Sequence, residues 1–126
     1  MDVRFTAREL DLMNVLWDRG PSTVAEVQRA LADDLAYTTV LTVLRVLEEK
    51  GHVTHEEEGR AHRYRPLVER DEAASSALKR VRERLFSGSS ELLLTRLVDD
   101  QPLSDDELRR MRDLLASRLG EEEEDQ

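Results

Sequence analysis

Three stretches announce a helix start by the same device, a Ser or Thr followed three residues later by Glu: Thr6 with Glu9, Thr23 with Glu26, and Ser104 with Glu107. In such a pair the hydroxyl takes an orphan amide of the first helical turn, while the carboxylate reaches back to the cap residue's own amide. Each such pair marks a helix start where an apolar pattern of helical spacing follows it. Behind Thr6, the residues Leu10, Met13, Leu16 and Trp17 recur at helical spacing until Gly20-Pro21 stops them. Behind Thr23, the same spacing holds for Val24, Val27, Ala30 and Leu31, up to a break at Asp33-Asp34.

A third helix is expected from about Tyr37 to Lys50, closed by Gly51. Val40, Val43, Leu44 and Leu47 form its apolar stripe. Thr38, Thr42, Arg45 and Glu49 form a separate polar line on the opposite side. Residues 52–57 and 60–65 then read as two short strands around a turn containing Gly59, with Pro66 closing the hairpin. Alternation directs Val53 and Tyr64 to the core and leaves Arg60 at the tip. A turn centred on Glu58-Gly59 sets His55 opposite His62.

From Asp71 the pattern is helical again. Ala74, Leu78, Val81 and Leu85 form a stripe that ends at Ser87-Gly88-Ser89. A short apolar helix (Leu92 to Val98) and a capped one carrying Leu108, Met111, Leu114 and Leu115 follow, and Gly120 ends the series. Three helices with narrow apolar faces make a poor core alone, and a two-fold partner offering the same faces would bury them. The expected interface is Leu78, Val81, Leu85, Leu93, Leu97, Leu108, Met111 and Leu115. The expected fold is mainly α with a small β-hairpin wing: a winged helix-turn-helix domain over residues 1–70 and a three-helix dimerisation domain over 71–119. A disordered acidic tail is expected over 120–126.

Composition narrows the function. The chain has no cysteine, which excludes disulfides, thiolate metal sites and a cysteine nucleophile and suits a reducing cytoplasm. No basic-then-apolar leader opens the sequence and no run approaches a membrane span, so a soluble cytoplasmic protein without membrane insertion is expected. None of the serines sits in a nucleophile context and no glycine loop cradles a phosphate, so no catalytic residues, no cofactor and no enzyme activity are expected. Net charge is −9, unusual for a nucleic-acid binder. Residues 1–70 contribute −3 and residues 71–126 contribute −6, while Arg60-Ala-His-Arg-Tyr-Arg65 carries three positive charges and no negative one.

In a helix-turn-helix unit the second helix of the motif enters the major groove. Thr38, Thr39 and Thr42 are short, donate or accept hydrogen bonds, and offer methyls to thymine, and Arg45 suits a guanine edge or a phosphate. Tyr37 reads equally as a core anchor or a phosphate ligand. Arg60 and Arg63 are expected to contact the backbone from the wing. His52, His55 and His62 do not supply enough ligands for a metal site, so none is expected. An acidic winged-helix module that binds protein, or a metal- or ligand-sensing regulator, are the alternative readings.

The block Ala36-Tyr-Thr-Thr-Val-Leu-Thr-Val-Leu-Arg-Val-Leu-Glu-Glu-Lys-Gly51, with Gly59-Arg-Ala-His-Arg-Tyr-Arg-Pro66, resembles the penicillinase-repressor (BlaI/MecI) family. Leu10-Asp-Leu-Met-Asn-Val-Leu-Trp17 and Pro102-Leu-Ser-Asp-Asp-Glu-Leu108 are similar to that family's first and last helices. The resemblance implies a homodimeric repressor on palindromic double-stranded DNA operators, with Thr38, Thr39, Thr42 and Arg60 as its contacts. It also implies inactivation through a membrane-bound sensor-protease, at a bond matching Arg96-Leu97 here, where studied members carry Asn-Phe. Val46 stands where the family often has a basic residue. The cysteine motif of copper-responsive relatives is absent.

Overall fold

The computed structural model describes residues 3–120. Its elements run α1 (Ala7–Arg19), β1 (Ser22–Thr23), α2 (Val24–Ala30), α3 (Tyr37–Glu49), β2 (Val53–Glu58), β3 (Ala61–Pro66), α4 (Arg70–Leu85), α5 (Ser90–Asp100) and α6 (Asp105–Leu119). The architecture is mainly helical with a small antiparallel sheet in the order β1-β3-β2. All three Ser/Thr–Glu pairs form complete capping boxes, at the starts of α1, α2 and α6. Of the acidic tail expected over 120–126, only Gly120 lies within the described residues, as the left-handed cap of α6.

The core of the first half is made where α1, α2 and α3 meet the hairpin. Leu12, Met13, Leu16, Val27, Val40, Leu44 and Leu47 are fully buried there, together with Val53 and Tyr64 from the two wing strands. Burying each such aliphatic side chain is worth roughly 1.5–3 kcal/mol. Burial also raises the Tyr64 phenol above its ordinary range, so the ring serves the core as a neutral group.

One ion pair ties the start of α1 to the end of α3. Glu9 is only 4% exposed, accepts from the Thr6 amide at 2.7 Å, and receives the Lys50 ammonium on both carboxylate oxygens at 3.0 and 2.7 Å. Desolvation pushes this carboxyl's pKa up, but the hydrogen bonds from Lys50 and Thr6 and the charge of Lys50 outweigh it, and the net shift is downward.

Two compact units divide the described residues, one ending at Val81 and the next beginning at Arg82. The sequence reading sets the boundary at 70/71. The difference arises because α4 docks its first turns on the N-terminal unit. Val3, Val68 and Ala73 form a second buried cluster, flanked by Phe5 and Trp17. Ser76 and Arg80 bond the backbone of Val3, with Arg80 Nη1 donating to the Val3 carbonyl at 2.8 Å. Trp17 Nε1 donates to the Val68 carbonyl at 2.8 Å, and the Arg70 guanidinium lies 5.3 Å over the Trp17 ring. The docked stripe of α4 is thus buried Ala73 with half-buried Ser76 and Arg80, while Leu78, Val81 and Leu85 stay exposed, Leu85 at 76%.

Unit 2 has no residue of α5 or α6 fully buried. Leu93, Leu108 and Met111 are half-buried, and Leu97 and Leu115 are exposed.

Because Glu9 titrates lower in the folded state than in the unfolded chain, its contribution is present above the unfolded value of about 4.3 and fades as pH falls through the folded value. Glu9→Gln is therefore expected to lose about 1–3 kcal/mol at neutral pH and to flatten the acid limb of the stability–pH profile. Urea melts between pH 3 and 7 check this, and an acid limb as steep as the wild type's would contradict it.

Candidate nucleic-acid interface

The site is built on α3. Its buried residues Val40, Leu44 and Leu47, with half-buried Val43, hold one side in the core. Thr38, Thr39, Thr42, Arg45 and Glu49 lie exposed on the other side, as the spacing predicts. Tyr37 is 47% exposed, so it is a surface residue and not a core anchor. Helix α3 opens on Ala36 without a side-chain cap and without an acidic residue in its first turn. Its first amides therefore keep their donors and the positive end of the helix dipole faces outward uncompensated. The Thr42 hydroxyl donates to the Thr38 carbonyl one turn back, at 2.8 Å.

The wing stands beside this helix. Strands β2 and β3 pair from Val53↔Pro66 to Glu58↔Ala61, which leaves Gly59-Arg60 as a two-residue turn. Gly59 carries the positive φ of 63° that the first central position of such a turn requires. Arg60 sits exposed at the tip. This register corrects the turn centred on Glu58-Gly59: His55 faces Tyr64 and His62 faces Glu57. The two imidazoles meet on the diagonal, stacked with centroids 4.4 Å apart and planes within 13°. Nδ1 of His55 is hydrogen-bonded to the Glu48 carboxylate at 2.7 and 2.8 Å, which fastens the wing to α3. Among the described residues no group of three or more His, Asp or Glu is placed to hold a metal ion.

Arg63 is placed differently from its expected role. Its guanidinium bonds Glu58, the Glu26 carboxylate at 2.9 Å and the Pro21 carbonyl at 3.1 Å. The hydrogen bond from Arg63 followed by its charge holds the Glu58 carboxyl below its ordinary value. The Thr23 amide and hydroxyl, and then Arg63, do the same for Glu26, and the two carboxylates raise the pKa of Arg63 in return. Arg63 thus joins the wing to α2. By contrast, Arg45 and Arg60 make no hydrogen bond or ion pair among the described residues, so their charge faces outward uncompensated. The sequence reading missed the Arg63 network and strand β1, which pairs Ser22 with Tyr64 and Thr23 with Arg63. The correct hairpin register was the missing signal: it puts Glu56, Glu58 and Arg63 on one face.

Three helices, the third with an unpartnered polar edge, followed by a two-stranded wing against a short third strand, define a winged helix-turn-helix regulator. The family model described as penicillinase repressor matches residues 5–117, and the chain belongs to that family. It is 41% identical over 95 residues to the transcriptional regulator BlaI of Mycobacterium tuberculosis, covering 72% of this chain and 69% of that protein. It is 24% identical over 109 residues to the penicillinase repressor of Bacillus licheniformis, covering 85% of each. A MarR family protein from Bacillus stearothermophilus shares the fold with a TM-score of 0.54 at 20% identity, over 94% of this chain and 76% of that one. Membership of a repressor family makes the chain a regulator and not an enzyme.

Arg63→Ala is expected to let the Glu58 carboxyl titrate at a higher pH, with a smaller rise at Glu26, which keeps its bonds to Thr23. Carboxyl NMR titrations of the two proteins read this directly. Superimposable Glu58 curves would refute the network.

Proposed function

We propose that the protein is a transcriptional repressor that binds palindromic duplex DNA as a homodimer, each protomer laying α3 in a major groove with its wing on the adjoining backbone. The observation that carries this reading is the exposed edge of α3: Tyr37, Thr38, Thr39, Thr42 and Arg45 are accessible on a helix whose other side is locked in the core. Thr38, Thr39 and Thr42 meet base edges. Tyr37 and the uncapped amides beside it meet a phosphate, and Arg45 meets a guanine edge or a phosphate. Arg60 reaches a phosphate from the wing tip. Arg63 leaves the contact set, because its guanidinium is already held by Glu26 and Glu58.

The homodimer is supported by α5, α6 and the exposed side of α4. Three helices without a fully buried residue in α5 or α6, carrying Leu78, Val81, Leu85, Leu97 and Leu115 on their surface, need a second copy to exclude water. Half-sites are then spaced by about one helical turn of DNA (~10 bp) or slightly more. Among the described residues no helix is long and apolar enough to cross a membrane, and the proposed work is cytoplasmic. A sensor-protease partner would act at Arg96-Leu97. That bond lies inside α5, with Arg96 paired to Asp100 at 2.8 Å, so cutting it requires α5 to unwind locally.

Salt titrations of operator binding test the DNA face. Arg60→Ala is expected to lower the log–log salt slope by about one, while Arg63→Ala leaves it unchanged. Equal slopes for Arg60→Ala and wild type would remove Arg60 from the interface. For the dimer, Leu115→Glu is expected to give a monomer in sedimentation that binds a palindrome no better than a half-site. A dimer of wild-type affinity would count against this assignment.

A further inference from the structure

The one hydrogen bond on the exposed edge of α3 restricts what that edge can say to a base. A threonine hydroxyl owns a single proton. In Thr42 that proton is donated to the Thr38 carbonyl at 2.8 Å, and the same back-bond ties Thr95 to the Glu91 carbonyl at 2.9 Å in α5. It is the local choice of an exposed helical threonine, and a base must compete with it. The major groove offers acceptors at N7 of both purines, at guanine O6 and at thymine O4, and Thr42 can donate to one of them only by giving up this bond. Its oxygen could still accept from an adenine or cytosine amino group if it faced the base. Its oxygen is turned onto its own helix, so the γ2-methyl is the substituent of Cβ that remains to face outward. β-branching makes this torsion stiff, and the methyl is held in place before DNA arrives. In the major groove a matching apolar group exists on thymine alone, its C5 methyl.

We propose that Thr42 is a specificity residue that selects thymine by methyl–methyl contact, with its hydroxyl serving the helix and not the base. This inference rests on the DNA-binding reading above and adds the chemical mode of recognition. It divides the labour of the edge: Arg45 supplies an uncommitted donor fork, while Thr42 supplies shape and apolarity. It also sets the rule for substitution, since valine keeps the methyl and loses the hydroxyl, whereas serine does the reverse.

The full-length protein would first be used to enrich sites from random duplex DNA. Each thymine of the enriched half-site is then replaced singly by deoxyuridine, which removes the methyl and keeps O4. One replacement is expected to weaken binding about fourfold per half-site, the fold-change that corresponds to burying one methylene-sized group. Thr42→Val is expected to bind like the wild type and to keep that sensitivity. Thr42→Ser is expected to bind the thymine site about fourfold more weakly and to be indifferent to uracil at that position. Thr42 is exposed, so both variants are expected to melt with the wild type. Retained affinity in serine with loss in valine would overturn the proposal in favour of hydroxyl readout. So would indifference to every uracil replacement, or an enriched half-site without thymine. Failure to enrich any sequence is a different result, and it would sink the DNA-binding reading itself.

Discussion

Everything the proposed interface does depends on helix α3 being held from one side only. Val40, Leu44 and Leu47 sink into the core, and two side-chain bonds fix the C-terminal half of the same helix. Lys50, which caps it, is bound by buried Glu9 from the start of α1, and Glu48 is bound by His55 from the wing. These contacts come from three different elements, so α3 cannot roll about its axis or slide along it without breaking one of them. A recognition helix restrained in this way presents its polar edge with little left to order on binding, which is where affinity is otherwise lost. The back-bonded Thr42 carries the same restraint down to a single side chain.

The net charge of −9 becomes compatible with a DNA face once the partners of each charge are known. Glu9, Glu26, Glu48 and Glu58 all lie in the winged-helix unit, and each is matched by a cation of that unit: Lys50, Arg63, His55 when protonated, and Arg63 again. Arg45 and Arg60 are left without such partners. Four acidic residues of this unit are thus engaged internally, Glu49 and Glu56 stay exposed, and Arg45 and Arg60 keep their charge at the helix edge and the wing tip. What matters to a phosphate at short range is this local imbalance, because charges farther away than about 10 Å are largely screened at moderate salt.

Sequence reasoning recovered those parts of the fold whose signal is local. The capping boxes at Thr6, Thr23 and Ser104 are complete within four residues, and the two-sidedness of α3 within thirteen, so nothing distant had to be known. The wing's existence was equally plain, but its register was not. Gly59 fits either position of a two-residue turn, and only pairing across the strands decides for Gly59-Arg60. That displacement is what separates His55 from His62 in register and brings Arg63 onto the face of Glu58. Strand β1 is two residues long and carries no periodicity, since it exists only because β3 offers it an edge. Tyr37, left open between anchor and ligand, is shown by its exposure not to be a core anchor.

Helix α4 shows why the first compact unit extends past the boundary expected at 70/71. A reading by hydrophobicity ranks its stripes by size and selects Leu78, Val81 and Leu85. The face that docks on the winged-helix unit is instead Ala73, Ser76 and Arg80, small or polar residues that let the helix approach the Val3 backbone and hydrogen-bond it. Close packing favours small side chains where a helix meets a backbone, while large ones are kept for surfaces that meet other large ones. The leucine stripe left over is then no failure of packing. Leu85 at 76% exposure would carry a cost in water roughly as large as the benefit of burying it, so its presence on a helix already docked elsewhere argues for a second apolar surface to receive it. Since α5 and α6 expose apolar residues of the same kind, a second copy of the chain, as in the proposed homodimer, would supply that surface with no further sequence to evolve.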